Sequence, residues 1–171
     1  MPAHPSRVIQ AFLCAGALGC ADAPSPSDEG VDCVPATVET FADDPGGYYR
    51  CVDAHLGGCG PDGYPLGYGA YYAEKYMGEI WASLSEDGQR FLIEVGVCLH
   101  ETLAAQVTAD STCDEVWDLG FDAHPDCYVE AGFCELPLTD TLAIAGAVEP
   151  EDQALPEQNA QVAAIAEACT E

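Results

Sequence analysis

The chain has 171 residues, with 30 acidic side chains, four Lys and Arg, four His and ten Cys, for a formal net charge of −26. So few cations cannot displace the counterions of a nucleic acid, and anionic membrane surfaces and phosphate-rich ligands are disfavoured on the same ground. A chain that is 49% hydrophobic and carries ten cysteines is not simply disordered. The length suits one ordinary domain.

Met1 to Gly19 reads as an export signal. Arg7 precedes a short apolar run, Val8 to Leu18, that is too short to span a bilayer, which takes about 20 apolar residues. The run closes on Ala17-Leu18-Gly19-Cys20. That ending resembles the lipobox of bacterial lipoproteins and implies lipidation of Cys20 and residence outside the cytoplasm, in the extracellular space or lipid-anchored at a bacterial envelope. Ordinary signal cleavage nearby is the alternative. Removing residues 1–19 leaves three cations, Arg50, Lys75 and Arg90, against 30 acids, a net charge of −27. Self-repulsion on that scale opposes a compact state unless something offsets it.

Cysteine is the expected offset. With Cys14 in the signal and Cys20 lipidated, eight remain: Cys33, Cys51, Cys59, Cys98, Cys113, Cys127, Cys134 and Cys169. An even number in an exported chain predicts four disulfides, although eight cysteines allow 105 connectivities and spacing alone does not choose among them. The rival reading, a zinc site, has neither a C-x-x-C pair nor histidines at zinc-finger spacing to support it.

Residues 20–48 read as an acidic, Pro/Ser-rich tether, with Cys33 stapling its end to the domain at 49–171. Helical patterning begins at Tyr49. Ala73, Tyr76, Met77, Ile80, Trp81 and Leu84 then recur at spacings of three and four. Ser85 is a good N-cap for a helix carrying Phe91, Leu92, Val95, Cys98, Leu99 and Leu103 on one stripe. Thr112 and Glu115 fit a capping box. The helix that follows is expected to end near Gly120, and Pro125 to open another, with Cys127, Ala131 and Cys134 on one face. Pro156 opens a last helix with Val162, Ile165 and Cys169. No stretch alternates with period two for long. The expected fold is all-α, a small disulfide-stabilised domain of about five or six helices.

The cysteine ladder and its neighbours resemble the stanniocalcin family. Arg50-Cys51-Val52-Asp53-Ala54-His55-Leu56-Gly57-Gly58-Cys59-Gly60 is similar to the family's N-terminal Arg-Cys…Leu…Gly-Cys-Gly segment. Gly88-Gln89-Arg90-Phe91-Leu92-Ile93-Glu94-Val95-Gly96-Val97-Cys98 resembles its Gly-Lys-x-Phe-Val-Lys-Glu-x-Leu-x-Cys helix. The intervals from Cys113 to Cys127, to Cys134 and to Cys169 follow the family ladder. The resemblance covers 50–171 and implies pairing of Cys98 with Cys127 and of Cys134 with Cys169. The family partners of Cys51, Cys59 and Cys113 have no counterpart here, so Cys33 must help re-pair them, and Cys33–Cys51 with Cys59–Cys113 is the expected arrangement. The basic C-terminal tail and the dimer-linking cysteine of the family are also missing, so a covalent dimer is not expected. The resemblance implies a secreted, hormone-like or protein-binding module, linked in its family to calcium and phosphate regulation.

No catalytic motif is present, and the chain is not expected to be an enzyme. His55, His100 and His124 are scattered and read as structural or surface residues. Trp81, Trp117 and the Tyr71–Tyr72 pair read as core and rim. Asp110, Asp114, Asp118, Asp122 and Asp126 recur every four residues. Carboxylates so placed on a helix repel one another, and Ca²⁺, which takes oxygen ligands, would relieve that. Asp114, Asp118 and Asp122 are therefore candidate Ca²⁺ ligands. The alternative is a solvated acidic face, with Gly120 and Pro125 expected to break the helix before all five share it. Two functions stand at this point: a module that binds an unidentified extracellular protein, and a purely structural acidic surface lipoprotein with no specific ligand.

Overall fold

The computed structural model describes residues 30–170. The signal segment, Cys20 and the first part of the expected tether lie outside the described residues. Six α-helices follow in order: α1 Gly47–His55, α2 Tyr71–Lys75, α3 Glu86–Gln106, α4 Cys113–Glu130, α5 Leu138–Gly146 and α6 Pro156–Ala168. Among the described residues the only β pairing is an isolated bridge between Gly30 and Thr108. The domain is all-α, as expected, and it is closed by four disulfides: Cys33–Cys51, Cys59–Cys113, Cys98–Cys127 and Cys134–Cys169. No helix of the described residues is long and apolar enough to cross a membrane.

The two caps legible in the sequence form. Ser85 Oγ accepts from Gly88 N at 3.2 Å and opens α3. Thr112 Oγ1 accepts from Glu115 N at 3.2 Å while Glu115 Oε2 accepts from Thr112 N at 2.7 Å, closing the capping box of α4. Ser85 has a second task. Its hydroxyl donates to the buried carboxylate of Asp140 on α5, which also accepts from Ser85 N at 3.2 Å. A carboxylate near the positive end of α3 is electrostatically well placed there, and the contact pins α5 to it.

Three expectations are corrected. First, α4 does not stop at Gly120 or restart at Pro125; it runs unbroken through both. Proline removes the hydrogen bond to the carbonyl four residues back and crowds it. The helix persists because its inner face, Val116, Gly120, Phe121, Ala123, His124 and Cys127, is buried along its length, and because Cys113 and Cys127 bolt its two halves to other elements. Second, Cys134 is not on that helix. α4 ends at Glu130, Gly132 takes a left-handed conformation with φ of 88°, and Cys134 sits in a following 3-10 turn, Phe133–Glu135. Glycine meets that φ without the steric penalty of a side chain. Third, residues 30–48 are part of the fold and not a loose tether end. Cys33 and Phe41 are both buried, and Ala36 N donates to His100 Nδ1 at 3.4 Å.

Two glycines explain how the helices approach. A Cβ at Gly96 of α3 would stand 2.1 Å from Phe41 Cζ, and one at Gly120 of α4 would stand 2.2 Å from Tyr64 Cζ. Each glycine is a socket for an aromatic ring, and Gly120 is therefore a packing residue and not a helix terminator. Tyr64 opens a π-helical turn, Tyr64–Ala70, that runs into α2; a second π-helical turn, Tyr76–Ile80, runs out of it. Together these form the rod that the three-and-four spacing of residues 73–84 predicts. Its aromatic residues join Tyr48, Tyr49, Leu103, Val116 and Phe121 in one core cluster, while Phe91, Leu92, Val95, Ala123 and Ile144 form a second.

Gly120→Ala tests the socket. Alanine is the better helix former by about 1 kcal/mol, yet overpacking against Tyr64 costs about 1–3 kcal/mol. Urea unfolding is expected to show a net loss of stability; a gain contradicts this account of α4.

Candidate functional site

The sequence offers histidines, an aspartate row and aromatic residues as site candidates, and the structure places them in three different settings. His100 lies in α3, fully buried in a cage of rings, with centroids 5.4 Å from Phe41 and 4.8 Å from both Tyr48 and Tyr49. His124 lies in α4, buried among Tyr64, Tyr68, Phe121 and Tyr128. Its Nδ1–H donates to the Gly120 carbonyl at 2.6 Å, within the turn that Pro125 perturbs. Burial pushes the pKa of each imidazole down to about 4, against smaller opposing effects from backbone carbonyls, those of Pro45 and Gly120. Both are neutral packing elements at pH 7. His55 lies away from them in the last turn of α1, on the surface.

The aspartates are a surface feature. Because α4 is continuous, Asp114, Asp118, Asp122 and Asp126 do share one helix, with Glu130 extending the row, and all five are exposed. Asp110 precedes the helix. The Ca²⁺ reading of Asp114, Asp118 and Asp122 is not supported: among the described residues no group of three or more His, Cys, Asp or Glu is arranged to hold a metal ion. The physical reason is axial spacing. Successive members of the row are about 6 Å apart along the helix, whereas Ca²⁺ gathers oxygens at about 2.3–2.6 Å from several directions. The row is also uncompensated. Arg50 pairs with Asp44 and Glu74, Lys75 with Glu149, and Arg90 with Asp87 at 2.8 Å and Glu94 at 3.8 Å. None of these three cations reaches the α4 row.

The third setting was not legible in the sequence. A cleft of about 430 Å³ opens between the end of α4, α5, α6 and the rod. Tyr76, Tyr128 and Phe133 line it together with Ile144, Val162 and Ile165. Among the described residues no charged side chain lines it. Polar groups inside it come from amides. Gln158 and Gln161, one turn apart on α6, are both buried. Tyr68 Oη and Gln161 Nε2 both donate to Gln158 Oε1, the latter at 2.6 Å. Those two bonds fix the amide orientation and leave the buried Gln161 Oε1 without a partner among the described residues. A second cavity, about 50 Å³, lies within the aromatic core and is large enough only for water.

The cleft's far wall is held on by phenols. Tyr72 Oη donates to Asp152 and accepts from Glu149 N at 2.9 Å, and Tyr71 Oη donates to Glu149 at 2.8 Å. The Tyr71–Tyr72 pair thus latches the segment leading into α6; Tyr72 is buried and Tyr71 exposed. Trp81 and Trp117 are half-buried, packed against the core clusters. Comparison with protein-family models, with curated proteins and with solved structures finds no match to this chain.

The buried imidazoles set a pH dependence. Their folded pKa of about 4 lies below the unfolded value of about 6.5. The unfolded chain therefore binds more protons between those values, and stability falls as pH drops through that window. From pH 7 to pH 5, above most carboxylate titration, each histidine is expected to remove roughly 2 kcal/mol. His100→Phe, which keeps a ring in the cage, is expected to halve the slope in urea unfolding. A flat profile, or an unchanged slope in the variant, contradicts the assignment.

Proposed function

We propose that the protein is a non-enzymatic extracellular module of stanniocalcin type that recognises a basic partner protein through the acidic face of α4. The observation that carries this reading is the row Asp114, Asp118, Asp122, Asp126 and Glu130: exposed, unpaired by any of Arg50, Lys75 and Arg90, and displayed on one helix. Disulfides from Cys113 and Cys127 tie that helix to the rest of the domain, so the row is held rigid and complementary charge steers association without an ordering cost. Four disulfides are the chemistry of an oxidising, extracytoplasmic compartment. The finer location we propose is a bacterial envelope, with lipid on Cys20 as anchor. The stanniocalcin resemblance over residues 50–171 supports a protein-binding role over catalysis. A calcium role through the α4 aspartates is set aside with the metal site.

Capture from culture medium on the immobilised chain tests the reading. At 0.15 M salt the wild type is expected to retain a saturable basic protein that is released by 0.5 M salt. The triple variant Asp118→Lys, Asp122→Lys, Asp126→Lys is expected to retain at least tenfold less. Equal retention by the variant, or none by either chain, contradicts the proposal and leaves the acidic surface a matter of solubility alone.

A further inference from the structure

We infer that the cleft between α5 and α6 is a binding site for a small, uncharged, mainly apolar molecule that carries one hydroxyl or N–H. The inference is independent of the α4 row. Its size, about 430 Å³, falls within the range of small-molecule sites. Its lining selects the chemistry. Among the described residues no carboxylate lines this cleft, whose surface is aromatic and aliphatic with amides among its lining. A lining without charge favours an uncharged ligand, and the negative field of the whole chain excludes an anionic one. No cation lines the cleft to receive a carboxylate or phosphate.

The amides supply the polar anchor. Gln158 Oε1 is doubly occupied by Tyr68 Oη and Gln161 Nε2. Gln161, 6% exposed, is left with an oxygen that has no donor. An unsatisfied buried carbonyl is costly, and such a group in a native structure calls for something that completes it. Gln161 lines the cleft while its Oε1 has no accessible surface, so a ligand hydroxyl or N–H supplies that completion with a turn of the amide toward the cleft. The apolar remainder of the ligand lies along Tyr76, Phe133, Ile144 and Ile165, and Val162, half exposed, stands at the rim.

Titration of the purified exported chain with N-phenyl-1-naphthylamine tests this. The dye is uncharged and aromatic, has one N–H, and brightens in apolar surroundings. A saturable rise with one site per chain is expected. 1-Decanol is expected to displace the dye, and decanoate to do so at least tenfold less well. Val162→Trp, at an exposed position, is expected to abolish the rise without changing the melting temperature. Gln161→Leu is expected to weaken dye and alcohol by about tenfold, the worth of one hydrogen bond. Absence of saturable binding, decanoate competing as well as decanol, or an unchanged rise in Val162→Trp overturns the proposal. A chain that elutes as a dimer and binds dye only when diluted to monomer also overturns it, because a second copy then fills the cleft.

Discussion

Like charge presses outward on this fold from every side. Among the described residues three cations answer 26 carboxylates, and each cation is already engaged in an ion pair. The pairs of Arg50 and Arg90 are exposed and contribute little, and Lys75 is the one of the three cations largely sheltered from solvent. The aromatic core supplies burial, and the disulfides supply what burial on this scale does not: they remove the open chain conformations into which repulsion would drive the protein. Their sequence separations of 18, 54, 29 and 35 correspond to about 3–4 kcal/mol each in the chain-entropy model. Four such contributions are as large as the net stability of an ordinary domain, about 5–15 kcal/mol.

The bridges also decide where the helices sit. Cys59–Cys113 and Cys98–Cys127 fasten both halves of α4, so the helix keeps its line through a glycine and a proline that would ordinarily interrupt it. The consequence is one continuous helix with its acidic residues exposed, winding gradually round the outside, and a buried face within. Cys134–Cys169 ties the end of α6 to the turn after α4, which frames the charge-free cleft. The molecule therefore separates its polar chemistry: carboxylates on the outer helix face, neutral amides and phenols in the recess.

What the sequence revealed follows the range of the interaction responsible. Ser85, Thr112 and Glu115 act within three residues, and their caps were legible. The long apolar stripe of α3 was legible for the same reason. Gly120 misled because Tyr64, more than fifty positions away, is seated against its bare Cα, and Pro125 misled because the buried inner face of α4 and the bridges at Cys113 and Cys127 carry the helix through it. The short α5 gave no signal: it lacks a side-chain cap, leaves Leu138 and Leu142 exposed, and anchors through Asp140 to Ser85 across 55 positions. Phe41 was hidden in a polar stretch that reads as linker, and its socket at Gly96 lies on another element. Gln158 and Gln161 gave no signal, because the contact that makes them interior is with Tyr68, 90 positions distant from Gln158. The pairings Cys98–Cys127 and Cys134–Cys169 were implied by resemblance, and the other two were re-paired with Cys33 where the family partners have no counterpart, since spacing alone admits many solutions.

The account turns on whether oxidised sulfur is what holds an acidic helical chain together. Near-UV circular dichroism and thermal melting of the purified exported protein, before and after reduction with thiol blocking at pH 7 and low salt, address this directly. Titratable thiols are expected to be absent beforehand; after reduction the tertiary signal and the cooperative melt are expected to vanish, with partial recovery in high salt as repulsion is screened. A reduced chain that keeps its tertiary signal and melts cooperatively at a similar temperature would contradict the account.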